Sequence, residues 1–377
     1  MLVLFAAALL LGLLCVLFLR HLPKQRPSEI TFKLADQSLH FTAASTIPLH
    51  GNIGNLVAGD LNHDGWPDLV IGAVPTSKFV VILNRGGKFD APVLIEGCAS
   101  SISPAVADFD GDGNLDIALA CYTTHQAQVW WGDGKGGVSS PITLTTGTEP
   151  IRCVSGDFNG DGISDFVVDA SGGGPLTVYL GNRDRNFTRT AYEGSNPHVP
   201  FVADYDGDGV LDIVVACYAA GCHNLSLLHG KGDGTFGAAE SLPVVAAAYS
   251  VFVADLTGDG IPDIFSGAMN GEESVFSGIG NGKFLPAKLA LKVGDSDMST
   301  VFQHGGRNYI VDLQIYPAQL RILSFDSQGN ATASNAVPLT DNPRYIISAD
   351  FDRDGRNDLA ILAMQGNASS LTIYLQK

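Results

Sequence analysis

Basic residues are scarce in this sequence: 22 Lys and Arg stand against 39 Asp and Glu, for a formal charge of -17. So acidic a surface repels polyanions, which removes nucleic acid from the expected partners and favours cations. Charged residues of both signs amount to only 16%, while hydrophobic residues reach 45%, which excludes a disordered acidic chain and leaves material for a well-buried core. The six cysteines, Cys15, Cys98, Cys121, Cys153, Cys217 and Cys222, lack the close paired spacings of a zinc site. Cys121 and Cys217 each sit in an Ala-Cys-Tyr triplet at the end of an apolar strand and read as small buried hydrophobes. Cys217 and Cys222 are also near enough to close a hairpin disulfide in an oxidising compartment. The GxSxG, HExxH and P-loop signatures are missing, and His63, His125, His198, His223 and His229 form no metal or nucleophile pattern, so no catalytic residue is expected.

Long apolar runs are confined to the start of the chain. Leu2 to Leu19 is an uninterrupted run of 18 residues, just long enough to cross a bilayer as a helix. No basic stretch precedes it and no small-x-small cleavage site follows, so residues 1–20 read as a signal anchor or transmembrane helix, with a cleaved signal peptide as the alternative. Leu14 is bulky for the neighbour of a lipidated Cys15. Residues 21–37 read as a polar linker and residues 38–377 as the folded domain. Arg20, Lys24 and Arg26 would hold the flank of the apolar run in the cytoplasm by charge alone. The loops described next suit a calcium-rich compartment instead, and the expectation adopted is an extracytoplasmic protein (periplasmic, cell-surface or secreted) anchored in the membrane by its N-terminal helix.

One pattern then recurs: an apolar strand ending in Asp, a nine-residue loop, and a second apolar strand beginning at another Asp. Its copies are DLNHDGWPD from Asp60, DFDGDGNLD from Asp108, DFNGDGISD from Asp157, DYDGDGVLD from Asp204, DLTGDGIPD from Asp255 and DFDRDGRND from Asp350, advancing by 48, 49, 47 and 51 residues and then by 95. The last step is twice the period, so one copy has lost its loop. A period near 48 built only of short β-type segments is the signature of four-stranded propeller blades. Within one period the strands read as NLVAG, DLVIGAV, KFVVILN and APVLIEG, with a Gly-rich turn before the fourth and an aromatic after it, at Phe89, Phe187, Phe236 and Phe284. The loopless sixth copy keeps VFQ, the turn His304-Gly305-Gly306-Arg307 and YIVDL. The last copy ends one strand short, and HFTAASTIPL, from His40 to Leu49, resembles the missing outer strand. The predicted fold is all-β: a seven-bladed β-propeller closed by an N-terminal strand in the last blade and preceded by one hydrophobic helix.

Each loop places side-chain oxygens at positions one, three, five and nine, where alternate residues turn inward as the chain curls around one ion. The Gly at position six allows the sharp turn, and the carbonyl of position seven can complete the set. The candidate ligands are Asp60, Asn62, Asp64, Trp66 and Asp68; Asp108, Asp110, Asp112, Asn114 and Asp116; Asp157, Asn159, Asp161, Ile163 and Asp165; Asp204, Asp206, Asp208, Val210 and Asp212; Asp255, Thr257, Asp259, Ile261 and Asp263; and Asp350, Asp352, Asp354, Arg356 and Asp358. Hard oxygen donors in a flexible shell favour Ca²⁺, about six ions in all. An EF-hand is excluded, because position twelve is Ile71 or Leu119 in place of Glu and strands flank the loops. Thr257 is the weakest donor, so the fifth loop should bind least tightly, with the first and third next. Asp, Asn and Gly make turns without any metal, but six copies in one register exceed what turn-making requires. Twenty-one of the 39 acids lie at these positions, and six Ca²⁺ would add 12 charges and leave about -5.

These loops and strands resemble the FG-GAP or VCBS repeats of integrin α-subunit propellers and of bacterial surface and secreted proteins, from about Phe41 to the C-terminus. The resemblance implies a seven-bladed propeller with structural Ca²⁺ loops and partner contacts on the opposite loops or rim. The FG-GAP cage itself survives only as Phe236-Gly237-Ala238 and in part as Phe89-Asp90-Ala91-Pro92, so integrin-like ligand recognition is not implied. The function expected is a non-catalytic binding, adhesion or scaffold module for a protein or glycan ligand. A polysaccharide lyase or hydrolase, or a lectin, is the alternative. For a lectin only Trp66, Trp130 and Trp131 offer indole faces, Trp66 exposed on its loop and the adjacent pair pointing to opposite sides of a strand.

Overall fold

Strand segments in this chain alternate at period two or are apolar throughout, and the burial follows the pattern. The strand after each loop is continuous in apolar residues, as in Asp68–Ala73, Asp116–Cys121, Asp212–Cys217 and Asp263–Ala268, and every residue of these four is buried. Outer strands such as Val93–Glu96 and Glu240–Pro243 are largely exposed. The computed structural model describes residues 27–377 except 52, 194–196, 218–222, 245, 269, 293–294, 341 and 367.

The architecture is all-β. Antiparallel meanders of four strands follow one another along the chain, the first being Ile53–Gly59, Asp68–Ala73, Lys78–Ile82 and Val93–Glu96. The second meander, Ser101–Ala107 through Ile142–Thr145, shares a sheet with the first through the single pair Ala73 and Ser101. Separate sheets then run from Cys153–Gly156 to Phe187–Tyr192, from Pro197–Ala203 to Glu240–Pro243, from Ala248–Ala254 to Lys288–Lys292, and from Asp295–His304 to Ala331–Ala333. The final sheet holds Asn342–Ala349, Asp358–Gln365 and Ala368–Gln376. Ser38–His50 completes it by pairing with Ala368–Gln376, from Phe41 opposite Gln376 to His50 opposite Ala368.

The first strands of successive meanders touch in chain order, and Asn342–Ala349 in turn touches Ile53–Gly59, so the curled sheets form a closed, propeller-like ring. Aromatic contacts repeat at the joints. Position two of each loop is buried and apolar or aromatic: Leu61, Phe109, Phe158, Tyr205, Leu256 and Phe351. The turn aromatic of the following sheet packs on it, in Phe109 with Phe187 (6.3 Å between ring centroids), Phe158 with Phe236 (5.4 Å), Tyr205 with Phe284 (6.0 Å) and, across the closure, Phe351 with Phe89 (6.0 Å). At the same closure Asn84 Nδ2 donates to the Phe351 carbonyl at 3.0 Å.

In the sixth sheet a two-residue hairpin replaces the loop: His304 pairs with Arg307, and Gly305 and Gly306 both take positive φ, 59° and 76°. Elsewhere in the fifth and sixth sheets, Glu273 and Asp312 are fully buried and act on one another. Gln314 Nε2 donates to Asp312 Oδ2 at 3.0 Å. Burial, reinforced by repulsion from Asp312, holds the Glu273 carboxyl well above the usual carboxylate range.

Several expectations change. Glu29–Lys33, within the stretch read as linker, is a strand paired with Ser38–His50, because Ile30 and Phe32 alternate with polar neighbours and both bury their side chains. Cys121 is buried but is no mere hydrophobe: it is disulfide-bonded to Cys98, 23 residues away. Cys217 is disulfide-bonded as well, to a residue outside the described set. The membrane anchor in the expected placement is corrected, since no helix among the described residues is long and apolar enough to cross a membrane. Their apolar residues are spent in short strands, and the hydrophobic helix expected over residues 1–20 lies outside the described residues.

Candidate functional site

Each loop leaves the sheet at the end of a first strand and re-enters it at position nine, which still pairs across the ladder: Gly59 with Asp68, Ala107 with Asp116, Gly156 with Asp165, Ala203 with Asp212, Ala254 with Asp263 and Ala349 with Asp358. Positions one to eight therefore bulge outward. The Gly at position six takes a φ between 79° and 91° in all six copies, a conformation that a Cβ would strain. Its N–H donates to Oδ2 of the position-one Asp at 2.8 to 3.0 Å in every loop. The N–H of position seven (Trp66, Asn114, Ile163, Val210, Ile261 or Arg356) donates to Oδ1 of the position-five Asp at 2.8 to 2.9 Å. In the first four loops the position-five N–H donates in turn to the position-three side chain.

This curl gathers acids. Three carboxylates lie with oxygens within 4.8 Å of one another in three of the loops: Asp108, Asp110 and Asp116; Asp204, Asp206 and Asp208; and Asp350, Asp352 and Asp358. These are the loops with Asp at position three. Where Asn62, Asn159 or Thr257 stands there, no such trio occurs among the described residues.

Position nine does more than its place in the motif suggests. Asp68, Asp116, Asp165, Asp212, Asp263 and Asp358 are all fully buried. In each, Oδ2 accepts the N–H of position two at 2.8 to 3.1 Å. Oδ1 accepts an N–H from the neighbouring strand end, that of Asn84, Gly132, Gly181, Gly230, Gly278 or Gln376, at 2.7 to 2.9 Å. One carboxylate thus ties the loop to two strands. Burial raises the pKa of these acids, to about 6 for Asp68 and Asp212 and about 7 for Asp116, Asp165 and Asp358; the backbone donors oppose the rise and nearby acids add to it. Such a carboxylate is held where a proton or a metal cation would relieve it.

Basic side chains also reach the loops. Arg185 Nε pairs with Asp110 Oδ2 at 2.6 Å and its Nη2 with Asp112 Oδ2 at 3.2 Å, while its guanidinium lies 5.3 Å from the Trp131 ring. Arg356 pairs with Asp354 of its own loop. His229, which belongs to no metal pattern in the sequence, stands with Asp206 and Asp212, its Nδ1 3.0 Å from Asp206 Oδ2. An alignment of the repeats holds the signal for it, since His229 precedes Gly230 where Trp131 precedes Gly132 and Leu180 precedes Gly181. Trp66 is half-buried, not freely exposed, with Arg353 of the last loop 5.8 Å over its ring. His63 Nε2 meets Asn114 Oδ1 at 2.9 Å, so neighbouring loops touch. Of the tryptophan pair, Trp131 is buried and Trp130 is half-buried against Phe79.

The same repeat appears when the sequence is compared with known families: the FG-GAP-like repeat matches residues 60–119, 108–168 and 216–266. The chain carries FG-GAP-like repeats. Among curated proteins, human phosphatidylinositol-glycan-specific phospholipase D is similar at 29% identity over 32% of this chain, a match spanning 19% of that protein. Among solved structures, the FG-GAP-like chain is similar to BBS1N in complex with ARL6DN, in a mercury-soaked crystal (TM-score 0.62, 13% identity, 89% of this chain and 97% of that one) and a lead-soaked crystal (TM-score 0.61, 13% identity, 88% and 96%). At that identity the likeness shows the fold alone, and it places the FG-GAP-like repeats in a propeller.

Proposed function

We propose that this protein is a seven-bladed, calcium-binding β-propeller that serves as a non-catalytic binding or scaffold module for a protein or glycan ligand. Grouping the strands by meander supports seven blades, the last shared between the two ends of the described chain. The observation that carries the metal reading is the sixfold recurrence of one hydrogen-bonded loop whose fully buried position-nine acid has its pKa raised by desolvation. Asp, Asn and Gly can form turns without an ion. They need not converge three carboxylates within 4.8 Å, as they do in the second, fourth and sixth loops. Oxygen-only donor sets of this flexibility select Ca²⁺ over softer metals. The residues that would hold it are positions one, three, five and nine of each loop, with the carbonyl of position seven. In the second loop the ion would have to displace Arg185 from Asp110 and Asp112.

Metal analysis of the purified chain, followed by calorimetric titration of the stripped protein with Ca²⁺, tests this reading. Several bound Ca²⁺ per chain are expected, strongest for the loops with Asp at position three. A protein that takes up none refutes it. The ligand-binding half of the proposal is supported by the scaffold, since a rigid ring of small sheets presents broad loop faces for partners, and by the structural neighbour's being found in complex with a second protein. Hydrolysis of a phosphatidylinositol glycan or a polysaccharide by the purified chain would overturn the non-catalytic part.

A further inference from the structure

The metal loops occupy one face of the ring, and a different chemistry lies inside it. Five or six residues before position one of each loop, at the start of the first strands, stand Asn55, Ser103, Arg152, His198, Tyr249 and Arg344. These equivalent positions converge, with Tyr345 beside them, on a single cavity of about 250 Å³. Strand rise puts it roughly 15–20 Å from the loops, on the axis of the ring. Residues contributed in turn by first strands around the ring can meet in one place only there.

Two guanidiniums share this space in a chain of charge -17. Arg344 makes no ion pair among the described residues, and its Nε is buried without a hydrogen-bond partner. The Arg152 contact across the cavity is Nη2 to the Met298 thioether at 3.6 Å, a weak acceptor. The acid whose charge acts on Arg152 is the fully buried Asp169, whose Oδ2 has no hydrogen-bond partner. Oδ1 accepts the backbone N–H of Ile151 at 2.6 Å and of Arg152 at 2.9 Å, and Oδ2 lies 3.6 Å from His198 Nδ1. Asp169 acts on Arg152, and Arg344 has no ion-pair partner among the described residues, which leaves positive charge unbalanced in the cavity. Burial lowers the Arg152 pKa, and the Asp169 charge opposes that fall. Arg152, Arg344 and Tyr345 all keep partial exposure, so solutes can reach them.

We propose that this axial cavity binds a small oxyanion, a carboxylate or a sulfate- or phosphate-type group, between Arg152 and Arg344. A guanidinium offers parallel N–H donors that match two oxygens of such a group, and charge-assisted bonds of this kind are the strong ones. Its volume admits a four-carbon dicarboxylate, whose two ends suit two guanidiniums. The inference is independent of calcium, because no residue of the cavity belongs to a loop.

Calorimetric titration of the full chain, in constant calcium and constant ionic strength, with succinate and separately with inorganic sulfate, tests it. Saturable one-to-one binding of at least one of them is expected, and the two arms tell a dicarboxylate site from a tetrahedral-anion site. Arg344→Gln should weaken that binding roughly tenfold or more, Arg344→Lys less, and Lys88→Gln on an exposed turn not at all. Arg152→Gln should behave like Arg344→Gln; should it fail to fold, the two Arg344 variants decide. No saturation by either anion up to tens of millimolar, or equal affinity in Arg344→Gln, overturns the proposal.

Discussion

Stripping divalent cations should bring this protein close to unfolding. Three of the six loops gather three acids within 4.8 Å. For each of these, calcium at about a hundredfold excess over its dissociation constant would contribute about 2.7 kcal/mol to the folded state, since only the folded loop presents the cage. Three such loops give about 8 kcal/mol, which is on the scale of the whole stability of a domain. At roughly 2 °C per kcal/mol for a large domain, the melting midpoint should drop by about 15 °C in chelator. Asp112→Asn separates the ion from the fold. Asp112 is partly exposed, its one ion pair is with Arg185, and Asn keeps an oxygen to accept the Asn114 N–H, so the variant should lie within about 0.5 kcal/mol of the parent in chelator. In millimolar calcium it should lose most of its loop's ~2.7 kcal/mol. The assay is urea unfolding and thermal melting of both proteins, with calcium and with EGTA. Equal midpoints for the parent in the two buffers, or an Asp112→Asn deficit of the same size in both, would refute the reasoning.

Three further outcomes follow from the packing and the buried charges. Replacing Cys98 and Cys121 together by Ala reopens a 23-residue crosslink; loop-closure entropy puts the loss at about 3.4 kcal/mol, and a urea titration showing less than about 1 kcal/mol would count against it. Phe351→Ala removes a fully buried ring that packs against Phe89 at the closure, and should cost about 3–5 kcal/mol in the same assay; a near-neutral result would mean that the joint does not bear on stability. For Glu273 the folded pKa lies above the unfolded 4.5, so the native state holds the extra proton. Its stability is then greatest below that value and falls as pH rises towards the folded pKa, by up to about 1.4 kcal/mol per pH unit. Glu273→Gln should flatten that slope and gain on the parent as pH rises; a stability difference that does not change with pH would contradict the assignment.

The repeat was legible because its constraints are local. A Gly at positive φ, an Asp at each end of a nine-residue bulge and a continuous apolar strand after it are fixed by the backbone of one meander. Hence the four strands per period, the loopless sixth sheet and the pairing of Ser38–His50 could be anticipated from the sequence. What stayed hidden depends on neighbours distant in the chain. The Cys98–Cys121 bond requires knowing which strand ends are adjacent. Arg353 covers Trp66 only because the last loop returns to the first. Arg152 and Arg344, nearly two hundred residues apart, look like ordinary strand polar residues until the ring brings them to one axis. The double role of the position-nine acids was concealed by its own success as a metal motif, since a sequence pattern that explains an Asp as a ligand gives no reason to ask what else its oxygens hold. Glu29–Lys33 escaped because five alternating residues in a polar stretch are a weak signal.

The clasp between Ser38–His50 and Ala368–Gln376 sets an order of events on the ribosome. The first of these strands leaves the exit tunnel at the outset, but its partner emerges only after roughly 300 more residues, on the order of half a minute of translation. Throughout that interval the thirteen-residue strand can pair only with Glu29–Lys33, and every completed sheet waits with an open end. Nascent chains are therefore most exposed to pairing with one another, or to capture by chaperones, just before Ala368–Gln376 emerges, and a ribosome stalled short of Ala368 would hold an array unable to shut.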